Sequence, residues 1–259
     1  MSDATMTDEE ELGGEMTLFE HLAELRKRLI YTIIAMAVGF AISWLFHVEI
    51  FLFLVEPLKQ AAPTPEMAQL HNKDLTETFI VMLKTSFVSG IFLTIPFTLY
   101  QIWSFIAPAL YEEEKKLTIP FVFMATLFFL GGAAFCYKIV MPFGFAFLFE
   151  FGAPVANPTI MMSEHYGFTL KLLLAFGAVF ELPVLAMFLS AIGVITHRTL
   201  INHWRYSVIG AFIFAAILTP PDVGTQLAMA VPLIVLYGFS ILVAYFFTKR
   251  REKRAAAQG

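Results

Sequence analysis

Cysteine is almost absent from this 259-residue chain, and Cys136 is the single one. One thiol excludes an intrachain disulfide and any cysteine-built metal centre. Catalytic signatures are missing as well: there is no His-Glu-x-x-His, no Gly-x-Ser-x-Gly and no cysteine–histidine pairing. His21, His197 and His203 stand apart, without metal-ligand spacing. An enzyme is therefore not expected, nor a metal or other cofactor. The start of the chain lacks a basic stretch followed by an apolar one, so no cleavable signal peptide is expected. Charge is scarce at 15% of residues, and it is unevenly placed. Acids crowd the head (Asp3, Asp8, Glu9, Glu10, Glu11, Glu15, Glu20) and bases the tail (Lys249, Arg250, Arg251, Lys253, Arg254). Neither run resembles a nucleic-acid surface; an acidic head of this kind is a solvated tail.

What the chain has in excess is apolar surface. It is 58% hydrophobic with a mean hydropathy of +0.74, where soluble domains hold about 45 to 50%. The fold class expected is an all-α integral membrane protein with six transmembrane helices and both termini cytoplasmic. Its organisation would be a disordered acidic tail over 1–16, one membrane domain over 17–247 and a basic tail over 248–259. Thr17 to Leu29 carries leucines at helical spacing, with Thr17 and Glu20 as a capping box. Spans follow at about Leu29 to Phe46, Phe79 to Trp103, Leu117 to Val140, Phe168 to Ile192, Tyr206 to Leu218 and Leu227 to Phe247. Val48 to Val55 reads as a surface helix or bend that Pro57 ends, and Pro57 to Thr78 as a polar loop. Pro142 to Gly167 has phenylalanines alternating with small residues, which fits either a strand or an interfacial helix. Basic residues assign the sides: Arg26, Lys27, Arg28, Lys115, Lys116, Arg198, Arg205 and the tail against Lys59, Lys73, Lys84, Lys138 and Lys171. Prolines 96, 183 and 232 are expected to bend helices, or simply to reflect how common proline is in membrane helices. With a short fifth span, and the sixth left open on this point, they suggest a concave overall shape and local bilayer thinning.

Glu181 sits inside the fourth apolar run. An acid there costs about 2.5 to 3.5 kcal/mol on insertion scales, and each large apolar residue returns only about 0.3 to 0.6. The surrounding leucines, valines and phenylalanines exceed that cost, so the span inserts and the acid calls for a role.

Four stretches together resemble one family, TatC, the multi-spanning component of the twin-arginine protein translocase. They are His21-Leu-Ala-Glu-Leu-Arg-Lys-Arg-Leu29, Phe105-Ile-Ala-Pro-Ala-Leu-Tyr111 with Glu114 following, Phe176-Gly-Ala-Val-Phe-Glu-Leu-Pro183, and Leu218-Thr-Pro-Pro-Asp222. The resemblance implies a non-enzymatic receptor and scaffold in the bacterial inner membrane. It would bind signal peptides bearing paired arginines, assemble with single-span TatA- and TatB-type partners as a homo-oligomer within a larger complex, and export folded proteins using the protonmotive force. It further implies that Glu24 and Glu114 recognise the arginine pair, with Arg26 and Glu113 beside them. The chain departs from the family pattern at Glu112, Glu113 and Glu114, which stand together before Lys115, and at Gly238 and Ala109.

Blander readings stand beside these. Glu24 can pair with Arg28 one turn on. The glutamates from 112 to 114 can be a solvated loop, and Pro220 and Asp222 a tight turn. Thr219 and Gln226 can form a polar patch for a partner helix. Pro57 reads as a turn residue, and Phe105 and Tyr137 as packing or interface aromatics. The main functional alternative is a proton-coupled secondary transporter with Glu181 as its ion site and Pro183 as its helix break.

Overall fold

The structure is a computed structural model that describes residues 18–106, 118–152, 159–219 and 223–258. The acidic head as far as Glu15, the Thr17 cap, Ala109, Glu112, Glu113, Glu114, Pro220 and Asp222 lie outside the described residues. Five helical segments are long and apolar enough to cross a membrane, and a shorter apolar helix makes the sixth span.

Helix α1 (Leu18–Leu45) runs without a break from the amphipathic start into the first span. It packs along α3 (Glu77–Ile106) through a close crossing at Gly39 and Gly90. A Cβ on Gly90 would stand 2.6 Å from the Phe40 backbone nitrogen, so the backbones approach as only glycine permits. The expected second span is thus longer, and Phe105 lies in its last helical turn rather than in a connecting turn.

Between these helices lies α2 (His47–Ala61), so of the two expected alternatives, a surface helix or a bend, the helix holds. Pro57 neither ends it nor forms a turn; it is buried inside the helix, which continues to Ala61. A proline there removes the N–H that would bond the carbonyl of Phe53. The Tyr137 hydroxyl donates to that carbonyl at 2.7 Å, and its ring stacks on Phe53 with centroids 4.4 Å apart. Tyr166 does the same to Phe51, donating to its carbonyl at 2.7 Å and stacking at 4.5 Å. Two buried tyrosines therefore clamp α2 against the spans behind it.

The third span, α4 (Thr118–Phe135), passes through a π turn at Cys136–Val140 into α5 (Met141–Gly152). The phenylalanines from 143 to 151 are helical, so of the two expected alternatives the strand is wrong. Proline at the second position of α5 is compatible with helix because the turn before it already departs from the α pattern. Beyond it, β2 (Ile160–Met161) pairs in parallel with β1 (Leu70–His71), a pairing the sequence reading does not anticipate.

The fourth span is two helices, α6 (Met162–Phe180) and α7 (Leu182–Ala191), with Glu181 at the joint and Pro183 in the first turn of α7. Only this proline coincides with a break. Pro96 and Pro232 lie inside continuous helices. Thr196 to Arg205, a polar turn by sequence, contains a short helix, α8 (His197–Asn202), capped by Thr196. Helix α9 (Trp204–Leu218) has 15 residues, about 22 Å at 1.5 Å per residue against a core of about 30 Å. The sixth is not short: α10 (Val223–Gln258) spans 36 residues and carries the helix through the basic tail.

Two apolar clusters fill the interior. One joins α2, α5, α6, α9 and α10 around Tyr166, Phe176 and Met229. The other joins α3, α4 and α7, where Trp103 meets Phe121 at 5.3 Å and Phe188 edge-on at 4.4 Å. Tyr137→Phe should leave the Phe53 carbonyl unpaired in a dry interior. We expect a loss of about 1 to 3 kcal/mol, read as a lower thermal midpoint in detergent; an unchanged midpoint would mean that Pro57 needs no donor.

Candidate functional site

Glu24 and Arg28 lie one turn apart on α1, and Glu24 Oε1 accepts from Arg28 Nη2 at 3.1 Å. The pair does not simply float on the helix surface. Arg28 Nη1 donates to Gln101 Oε1 of α3 at 3.1 Å, and Gln101 is buried between the helices. His21 stacks on Phe105 with centroids 4.3 Å apart and planes 21° from parallel, closing the same end of the seam. Glu24 is only 15% exposed at its side chain, and its second oxygen, Oε2, is buried without a partner among the described residues. An ionised carboxylate can accept about four hydrogen bonds. Arg28 Nη2 occupies one oxygen, while the other, like Arg28 Nε, is buried and has no partner among the described residues.

Of the residues expected here from sequence, the structure gathers Glu24 and Phe105. Arg26 is exposed and takes no part in this cluster. Arg28 reaches inward instead, together with His21 and Gln101, which the sequence reading does not single out as site residues. The signal for Arg28 was its spacing from Glu24, and for Gln101 its amide between the apolar Leu99 and Trp103.

The remaining expected positions are elsewhere. Glu181 caps the end of α6, donating its N–H to the Ala178 carbonyl at 3.2 Å and accepting from the Leu185 N–H at 2.8 Å. Its side-chain Oε1 is buried and unpartnered among the described residues. Thr219 donates back to Ala215 at 2.9 Å, and Gln226 donates across to the Phe212 carbonyl at 3.2 Å. The first bond stays within the end of α9, and the second ties α10 to α9. At the other membrane face, the buried Glu77 accepts from the backbone N–H of Lys73 and from that of Ser163 at 2.8 Å. Lys73 Nζ meets Glu164 at 2.6 Å, and that hydrogen bond raises the lysine above its ordinary pKa.

With this geometry in place, comparison with known proteins is decisive. The family model for the Sec-independent protein translocase protein TatC matches residues 20–232. The chain belongs to the TatC family. It is 41% identical to TatC of Halothiobacillus neapolitanus over 97% of this chain and 68% of that protein. It is 39% identical to TatC of Koribacter versatilis, covering 96% of this chain and 93% of that one. A crystal structure of a twin arginine translocase receptor, TatC, superposes with a TM-score of 0.78 at 39% identity, over 87% of this chain and 98% of the other. TatC membership makes the chain a membrane-embedded component of a protein translocase.

Gln101→Leu should free Arg28 Nη1 and loosen the hold on Glu24. A hydrogen bond to a charged group is worth about 1.5 to 3 kcal/mol when buried, less where water reaches the arginine. A lowered thermal midpoint for Gln101→Leu, with Gln101→Glu retaining it, is the expected result.

Proposed function

We propose that this chain is the core receptor and scaffold of a twin-arginine translocation system, binding signal peptides with paired arginines at the cytoplasmic end of α1 and α3. The observation that carries the reading is the half-satisfied carboxylate of Glu24. One oxygen is held by an arginine anchored to Gln101, and the other is unclaimed among the described residues. Guanidinium is permanently charged and presents a planar fork of donors, so a fixed carboxylate selects arginine over lysine. Glu114 supplies the second acid for the second arginine, with Glu113 and Arg26 flanking, and the apolar part of the signal supplies further binding along the lipid-facing helices. Phe105 and His21 shape the floor of the site.

Folded cargo would then be exported using the protonmotive force after TatA- and TatB-type single-span proteins, and further copies of this chain, join the complex. The chain would act without catalysis of its own, in a bacterial inner membrane with both termini cytoplasmic. Asp222, Pro220 and Pro57 serve structure rather than contact with the signal in this reading, Pro57 from inside α2. Thr219 and Gln226 hold the α9–α10 corner.

One observation supports a second reading, proton-coupled transport: the unpartnered, buried oxygen of Glu181 at a helix joint. Uptake of a small solute by the purified protein in liposomes, abolished by Glu181→Gln, would favour it. Under the receptor reading, Glu181→Gln retains peptide binding.

The receptor reading is tested by photo-crosslinking of an Arg-Arg signal peptide to membranes. Glu24→Gln and Glu114→Gln should each reduce crosslinking about tenfold, the effect of one lost charge-assisted bond, and more than Glu113→Gln does. Undiminished crosslinking in both variants would overturn the assignment.

A further inference from the structure

Two lysines stand inside membrane spans with nothing to pair them. Lys84 on α3 and Lys171 on α6 are both exposed, and neither makes an ion pair or hydrogen bond among the described residues. Both lie at the face opposite the Glu24 site, and their depths match. Glu77 and Ser163 are bonded to each other at 2.8 Å and mark a common level on the two helices. Both helices run from that level in the same direction. At about 1.5 Å per residue, Lys84 lies about 10 Å below Glu77, and Lys171 about 12 Å below Ser163.

They also border the same seam. On α3, Lys84 falls one turn from Val81 and Val88, which pack into the interior that α6 shares. On α6, Lys171 falls two turns after Glu164, whose carboxylate meets Lys73 just ahead of α3. Each lysine therefore sits at the outer lip of the α3–α6 seam, open to the bilayer. The acids nearby are taken: Glu164 by Lys73 at 2.6 Å, and Glu77 by two backbone N–H groups. Glu181 lies about 15 Å beyond Lys171 along the fourth span.

An ammonium at this depth is costly unless its stem extends to the interface and meets a negative group. The negative group available along a lipid-facing seam is the phosphate of a phospholipid, and basic residues between spans are a known form of anionic headgroup site. We infer that Lys84 and Lys171 form a binding site for an anionic phospholipid of the outer leaflet, with its phosphate between the two ammonium groups and its acyl chains along the α3–α6 seam. Bound there, the lipid would brace the two helices on the membrane face where the Glu77 lock also joins them.

The test is native mass spectrometry of the purified chain titrated with phosphatidylglycerol or with phosphatidylcholine of the same acyl chains. The wild type should retain phosphatidylglycerol preferentially. Each of Lys84→Gln and Lys171→Gln should weaken that retention about fivefold, and the double variant about thirtyfold, as expected for about one surface cation's attraction per lysine. Lys59→Gln, which removes a cation on the same side but on α2, should leave it unchanged. No preference in the wild type, or a preference surviving in the folded double variant, would overturn the site. So would complete displacement of the lipid by millimolar inorganic phosphate, which would mean that free phosphate and not a lipid occupies it. Thermal midpoints of the single variants establish folding and keep the result readable if the double variant does not fold.

Discussion

A bilayer offers no water to an unpaired polar group, and the rest of this structure depends on how each such group is met. Pro57 would normally stop a helix, yet α2 passes through it because Tyr137 supplies the donor that proline removes. The same demand places Tyr166 against Phe51 and closes Glu77 over two backbone N–H groups. Glycine does the complementary work where α1 crosses α3 at Gly39 and Gly90, bringing backbones close enough for Arg28 to reach Gln101 from the neighbouring helix.

Not every buried group is met: Arg28 Nε, the Ser86, Thr169 and Ser190 hydroxyls and His165 Nε2 are among the buried atoms without a partner among the described residues, and two more are carboxylate oxygens. Glu24 Oε2 and Glu181 Oε1 are buried oxygens without partners among the described residues. They differ in surroundings. Glu24 is held at one oxygen by an arginine that Gln101 anchors in turn, so its carboxylate is oriented. Glu181 stands at a break between helices with its backbone engaged on both sides. Orientation suits recognition of a planar cation, and on the proposed reading signal binding falls to Glu24 while Glu181 is an intramembrane polar landmark.

Much of the fold was legible because hydropathy reports the spans directly. The long apolar runs, the short α9 and the Glu24–Arg28 spacing all follow from residue type and helical period. What escaped was tertiary. Pro57 looks like a stop signal, and only a tyrosine far along the chain makes it tolerable. The phenylalanines from 143 to 151 fit a strand or a helix by sequence, and the helix entering through the π turn at Cys136–Val140 decides for the second. Gln101 reads as an isolated amide until α1 is laid across it. The pairing of β1 with β2 and the Glu77 lock join segments whose local sequences carry no shared signal.

The most direct measurement is the affinity of the purified chain for a twin-arginine signal peptide against the same peptide with both arginines replaced by lysine, at equal ionic strength. Two carboxylates reading planar guanidinium groups predict tighter binding of the Arg-Arg peptide by about tenfold or more. Equal affinities would contradict a carboxylate site at Glu24.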